Sequence, residues 1–261
     1  MDLMQQDLRT SSTPFFLVSV RNAIEALAAL TGGCDVLDVK EPSRGSMGMA
    51  DVATITSVVE IAKKTRPDVA VSAALGDLAD WAGERTIPVI SDLDFVKLGP
   101  LGQTVTSDWI ETWHSIQRRF DEKNGLASAW VAVAYVDSTL AAVPTPETVV
   151  KTVVAARDGF DRCAGVLFDT YAKTGRSLFD WISQHELISL ANQLHCHGLI
   201  LAVAGSLHAS MLESLREVQP DIIAVRAAVC EGGQRTGAVT ADAVRNFATS
   251  ISSVFETNLH T

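Results

Sequence analysis

The sequence predicts one α/β domain folded as a (β/α)8 TIM barrel. Three observations carry this. Eight short, apolar runs rich in β-branched residues recur along the 261-residue chain. Segments with helical periodicity separate them. No glycine-rich dinucleotide fingerprint follows the first run, which disfavours the doubly wound open sheet. Continuous apolar strands alternating with amphipathic helices indicate a parallel sheet covered by helices. Eight such units in about 250 residues match the barrel.

The first run is "FFLVSV" (15–20), followed by the helical "NAIEALAALTGG". "VLDVK" (36–40) leads into the amphipathic "DVATITSVVEIAKKT". "VAVSAALG" (69–76), "DFVKLG" (94–99) and "AWVAVAYVD" (129–137) come next, the last before the helical "PETVVKTVVAARDG". "GVLFDT" (165–170), "LILAVAGS" (199–206) and "IIAVRAAV" (222–229) complete the set, and eight helices are expected between and after the strands. With no low-complexity linker and no shift in composition, residues 15–258 form a single catalytic domain. Residues 1–14, "MDLMQQDLRTSSTP", are polar and acidic, with no basic n-region and no apolar h-region. They read as a flexible tail rather than a signal peptide.

A 47% hydrophobic composition can build a large core. A formal net charge of −10 disfavours nucleic acid and anionic membranes as partners, because counterion release needs a basic surface. A small phosphorylated substrate in a local basic pocket stays compatible. The apolar runs fall short of the roughly 20 residues of a membrane helix. Cys34, Cys163, Cys196 and Cys230 form no CxxC pair and suit free thiols in a reducing cytoplasm. A homo-oligomer is compatible with the sequence.

In this barrel the chemistry lies at the C-terminal ends of the strands. "VLDVK" puts Asp38 and Lys40 two residues apart, on one face of a strand. Lys97 lies in "DFVKLG" between apolar neighbours and points into the barrel. A lysine there either pairs with a carboxylate or loses its proton. Two such lysines depress each other's basicity, and a neutral amine is what Schiff-base chemistry needs. Asp169 ends the sixth run, and Lys173 follows in its loop. A solvated loop charge or a simple salt bridge is the bland alternative for each. Its weight falls as three lysines, Arg226 and several carboxylates converge on one rim.

"AGS" (204–206) and "RAAVCEGG" (226–233) fall after the seventh and eighth runs. This is the usual barrel phosphate site, where backbone N–H groups face an anion. Gly205, Ser206, Arg226, Gly232 and Gly233 are the expected phosphate-binding residues, tight turns being the alternative for the glycines. "HCHG" (195–198) resembles a metal pair but precedes a strand. His195 and His197 are therefore read as capping a helix C-terminus at the far end of the barrel, and no metal is expected. Tyr135 is either a proton donor or a packing residue, and Cys230 a small packing residue.

Together "DVKEPSRGSMG", "SAALGD", "DFVKLG", "DTYAKTGRSLFDW", "AVAGSL" and "VRAAVCEGGQR" resemble the (5-formylfuran-3-yl)methyl phosphate synthases. That family makes the furan precursor of methanofuran-type one-carbon carriers. The likeness runs from about residue 16 to 247, and six motifs in one order are specific where one is weak. It implies a (β/α)8 barrel, a Schiff-base lysine at Lys40 and a proton-accepting lysine at Lys97, supported by Asp38, Asp169 and Lys173. It also implies glyceraldehyde 3-phosphate as substrate and no cofactor, since an iminium is itself an electron sink. The family's usual "DVKNP" is "DVKEP" here and its "VRGAVCKGGDR" is "VRAAVCEGGQR". Ala227 and Glu231 thus add a methyl and remove a cation near the expected phosphate. Another Schiff-base aldolase, a phosphosugar isomerase and a non-catalytic phosphate-binding barrel are the competing readings.

Overall fold

The computed structural model describes residues 12–83, 85–102, 109–125, 128–156 and 162–256. Residues 1–11 of the expected tail and 257–258 of the expected domain lie outside these. Eight parallel strands close into a barrel in sequence order. They are β1 (Phe15–Val20), β2 (Val36–Val39), β3 (Ala70–Asp77), β4 (Phe95–Gly99), β5 (Ala129–Tyr135), β6 (Cys163–Asp169), β7 (Ile200–Val203) and β8 (Ile222–Val225). The helices are α1 (Ala23–Gly32), α2 (Val52–Thr65), α3 (Trp109–Asn124), the one-turn α4 (Ser138–Ala141), α5 (Pro146–Ala155), α6 (Gln184–Cys196), α7 (Leu212–Val218) and α8 (Ala241–Phe255).

Successive strand residues serve two cores, as the pleat requires. Phe16 and Val18 face the helices, whereas Leu17 joins Phe95, Val131 and Ile222 inside the barrel. Burying each such side chain contributes about 1.5–3 kcal/mol, which is why both faces of every strand are apolar. Register then sets the height of the polar residues. Ser19 pairs with Asp38, and Asp38 with Ser72, so these three share a layer above the apolar plug.

Local signals fix the helix ends. Asn22, Thr145, Ser183 and Thr240 each accept a backbone N–H of the first turn that follows. Gly33 ends α1 with φ 94°, a conformation open to glycine at little cost. One βα unit departs from the expected pattern. After β3 the chain makes a 3-10 turn, Leu78–Trp81, and no α-helix among its described residues before β4. Gly83 and Pro88 break that stretch, and Trp81 anchors the turn by donating to the Leu75 carbonyl at 2.8 Å.

Candidate active site

The C-terminal rim carries a cavity of about 240 Å³. Ser19, Asp38, Lys40, Lys97, Asp169 and Lys173 line one side, and the loops after β7 and β8 the other. Strand geometry brings all five expected catalytic residues into one space.

The three lysines differ in partners. Lys97 on β4 forms a close buried ion pair with Asp38 on β2, whose other oxygen accepts from Ser19 Oγ at 2.9 Å. Of the two fates open to Lys97, pairing with a carboxylate is the one realised. Lys173 donates to Asp169 Oδ1 at 2.8 Å and to the carbonyl and hydroxyl of Thr170, so its three donors are used. Lys40 lies just past β2, where its N–H continues the ladder to the Val20 carbonyl. Its amine lines the cavity and makes no hydrogen bond or ion pair among the described residues. Burial is the main influence on it, opposed by Asp169 and Asp38 and reinforced by Lys173 and Lys97. The net result is a Lys40 amine lowered from 10.5 to about 8. Burial raises the Asp38 and Asp169 carboxyls too, but the neighbouring lysines and hydrogen bonds outweigh it and leave both below the usual carboxylate value.

Residues outside this candidate set hold it in place. Asp137, buried beyond β5, accepts the N–H groups of Tyr171 and Ala172 at 2.6 and 2.8 Å, fixing the loop that carries Lys173. Ser46 reaches from the loop after β2 across the barrel mouth to Asp169 Oδ2 (3.1 Å) and the Thr170 carbonyl (3.0 Å). Glu41 caps the turn at Pro42–Arg44 by accepting from Ser43.

The phosphate side differs from expectation at two residues. Gly205, Ser206 and Gly233 line the cavity, and Gly232 does not. Gly205 and Ser206 have φ of 100° and 50°, and left-handed backbone of this kind turns N–H groups toward a ligand. Arg226 lines the cavity but is committed elsewhere. Nε donates to the Arg235 carbonyl, Nη1 to the Ser19 carbonyl and Glu25, and Nη2 to Glu25 and the Gly237 carbonyl. All five donors are taken, so its geometry supports a clamp between the end of β8 and α1 instead of a phosphate contact. Arg235, which sequence reasoning passed over, lines the same cavity. Its Nη2 holds the Pro42 and Gly45 carbonyls at 3.0 Å, and Nε and Nη1 have no partner among the described residues. The available signal was its place two residues past Gly233.

His195 and His197 lie at the end of α6. His195 Nε2 is 3.0 Å from Asp221 and His197 Nδ1 is 2.8 Å from the Gln193 carbonyl, at the opposite end of the barrel from the cavity. No helix among the described residues is long and apolar enough to cross a membrane.

Among solved structures, 3-hexulose-6-phosphate synthase from Salmonella typhimurium superposes with a TM-score of 0.58 at 15% identity, over 93% of this chain and 98% of the other. Phosphoribosyl anthranilate isomerase from Thermus thermophilus gives 0.54 at 13%, over 92% and 99%. These likenesses speak for the fold. At the sequence level, (5-formylfuran-3-yl)methyl phosphate synthase of Methanothermobacter thermautotrophicus is 33% identical over 234 residues, 88% of this chain and 95% of that one. The protein of the same name from Methanopyrus kandleri is 32% identical over 243 residues, 91% and 99% of the two chains. The family model for 4-HFC-P synthase matches residues 16–248, so the chain belongs to the 4-HFC-P synthase family.

Proposed function

We propose that this chain is a carbon–oxygen lyase that condenses two molecules of glyceraldehyde 3-phosphate into (5-formylfuran-3-yl)methyl phosphate through an iminium on Lys40. The observation that carries the reading is the contrast among the rim lysines. Lys97 and Lys173 are each tied to a carboxylate; Lys40 has no such partner among the described residues, and burial lowers its basicity. A neutral amine is the nucleophile this chemistry requires.

In this reading the Lys40 amine adds to the aldehyde of the first triose phosphate. Lys97 gives its proton to the departing carbinolamine hydroxyl, and water leaves. Lys97 is then a neutral amine beside the iminium, placed to take the α-proton, with Asp38 stabilising the ammonium that re-forms. Lys97 thus acts first as acid and then as base within the cycle. The enamine attacks the second aldehyde. Loss of phosphate and water, cyclisation and hydrolysis of the imine release the furan and free Lys40. Asp169 and Lys173 pass protons to and from the hydroxyls being lost. The unpaired donors of Arg235, with backbone N–H groups at Gly205, Ser206 and Gly233, hold a phosphate.

The test is incubation with glyceraldehyde 3-phosphate alone. Mass and ultraviolet spectra of the product should be those of the furan, and borohydride should fix an adduct on the peptide containing Lys40. A simple aldol or isomer as sole product, or an adduct elsewhere, overturns the reading.

A further inference from the structure

The loop 41–48, between β2 and α2, begins at the residue after Lys40 and closes on itself. Glu41 N–H donates to the Gly48 carbonyl at 2.8 Å. A Cβ on Gly48 would lie 2.3 Å from the Glu41 carbonyl oxygen, so only glycine fits where the two ends of the loop meet. Met47 is buried in the inner core with Tyr135. Two polar contacts tie the loop to the rest of the rim. On one side Ser46 Oγ reaches Asp169 Oδ2 at 3.1 Å. On the other, Arg235 Nη2 donates to the Pro42 and Gly45 carbonyls, both at 3.0 Å.

Arg235 is half-buried and lines the cavity together with Gly205, Ser206 and Gly233. Nη2 carries two hydrogens, and the loop carbonyls take both. The three hydrogens on Nε and Nη1 have no partner among the described residues. One guanidinium thus holds the loop with one nitrogen and leaves two for an anion.

We propose that Arg235 is a positioning residue that couples the substrate's phosphate to the loop 41–48. A phosphate monoester held by Nε and Nη1 tightens the loop, and the loop sets Lys40 and Asp169 for reaction. The proposal rests on the phosphate contact given to Arg235 above. The coupling follows from reciprocity. With the loop in place, its two carbonyls fix the guanidinium, so less side-chain freedom is lost when an anion binds. By linkage, a bound anion favours the placed loop by the same factor. The loop acts on the reacting groups at two points. Lys40 joins it directly through the chain, and Ser46 bears on the Asp169 oxygen that Lys173 leaves free. The phosphate lies at the far end of the triose from the aldehyde that meets Lys40. Its binding energy is then spent on holding the reacting groups in position, which raises kcat, as well as on affinity.

The test separates the phosphate from the aldehyde. Glyceraldehyde, which lacks the phosphate, is trapped on Lys40 by borohydride with and without inorganic phosphite, a dianion of similar shape. Phosphite should make trapping about tenfold faster in the wild type, within the range usual for coupled sites, and give no acceleration in Arg235→Ala. With glyceraldehyde 3-phosphate, Arg235→Ala should lower kcat about 10–100-fold besides raising KM, and added guanidinium should restore part of kcat. Hydrogen exchange of the peptide spanning residues 41–49 should slow when inorganic phosphate is added to the wild type, and not in the variant. Phosphite that competes with glyceraldehyde 3-phosphate yet leaves glyceraldehyde trapping unchanged overturns the coupling, as does a variant that raises KM alone. If Arg235→Ala does not fold, the wild-type phosphite and exchange measurements decide. Absence of a Lys40 adduct in the wild type with glyceraldehyde 3-phosphate overturns the proposed reaction. Hydrogen exchange then decides the coupling by itself: slowing by phosphate supports it, and unchanged exchange overturns it.

Discussion

Asp35 and Asp38 stand at opposite ends of β2. Asp35, at the bottom rim, accepts the backbone N–H of Phe16 on the preceding strand at 2.8 Å. The arrangement recurs. Asp94, just before β4, accepts Val71 N–H on β3 at 2.8 Å, and Asp221, just before β8, accepts Leu201 N–H on β7 at 2.6 Å. The position before β6 holds Arg162, which bonds the Ser128 carbonyl beside β5 and pairs with Asp121. Asp38, at the top rim, faces an ammonium and a hydroxyl instead, and Asp169 faces both beside the N–H of its neighbour Thr170. One residue type at two ends of a barrel is divided by its partner. A backbone N–H cannot give up its proton, so the bottom carboxylates fasten neighbouring strands. A lysine or a serine can, so the top ones are equipped for chemistry.

The sharpest way to break this contrast is at the unpaired lysine. Lys40→Arg keeps the positive charge but cannot form an imine, since a guanidinium stays protonated. Turnover should fall by more than the ~10²–10⁴ typical of one general base, and the borohydride adduct should vanish from mass spectra of that peptide. An adduct at Lys97 in the variant would exchange the two roles.

The second effect separates charge pairs from fasteners. Asp38→Leu alone strands the buried Lys97 ammonium and should cost about 3–5 kcal/mol. Asp38→Leu with Lys97→Met replaces the pair by apolar groups, which is often neutral or stabilising by about 1–4 kcal/mol. Denaturant melts should show stability recovered in the double variant, while turnover stays down by about 10²–10⁴. Recovery of both would make the pair structural.

The strands were legible because both of their faces are buried, which produces continuous apolar runs instead of an alternating pattern. For the same reason Asp38, Lys97 and Asp169 stood out as charges in otherwise apolar strands. The partners of those charges were not legible. Arg226 and Glu25 meet across the seam where β8 closes on β1, and a contact between residues so far apart in sequence leaves no local pattern. Glu25 presents itself as an ordinary residue of the first turn of a helix. Ser46 and Arg235 belong to loops that cross the mouth, and a loop's composition does not say where it goes. The alternation of strands and helices elsewhere in the chain predicts a helix after β3. Gly83 and Pro88 carried the opposite signal within that stretch.

A third, smaller effect belongs to the bottom rim. Asp35→Ala leaves the Phe16 N–H without its acceptor and should cost about 1–3 kcal/mol. The same variant should turn over at the wild-type rate, because the group lies at the other end of β2 from the cavity. Measuring melting and kcat on one preparation checks both halves. A fall in kcat with stability intact would erase the distinction between the rims.

The smallest effect tests the unpaired lysine through stability rather than rate. Folding lowers the Lys40 amine from 10.5 to about 8, so the folded protein holds that charge at a cost. Below pH 8 both folded and unfolded chains carry the proton, and the cost is felt in full. Between pH 8 and 10.5 the folded state releases its proton first, the unfolded chain binds more protons, and stability rises with pH. Above that window both forms are neutral and the cost is gone. Lys40→Met removes the charge at every pH. It should therefore be more stable than the wild type at pH 7, by about 1 kcal/mol once screening by water in the open cavity is allowed for. That corresponds to a Tm higher by about 2–4 °C. The advantage should shrink as pH rises from 8 towards 10.5. Thermal melts of both proteins across that range decide it. An offset that is constant with pH would come from packing of the methionine, and the unpaired amine would lose its claim to release a proton within that window.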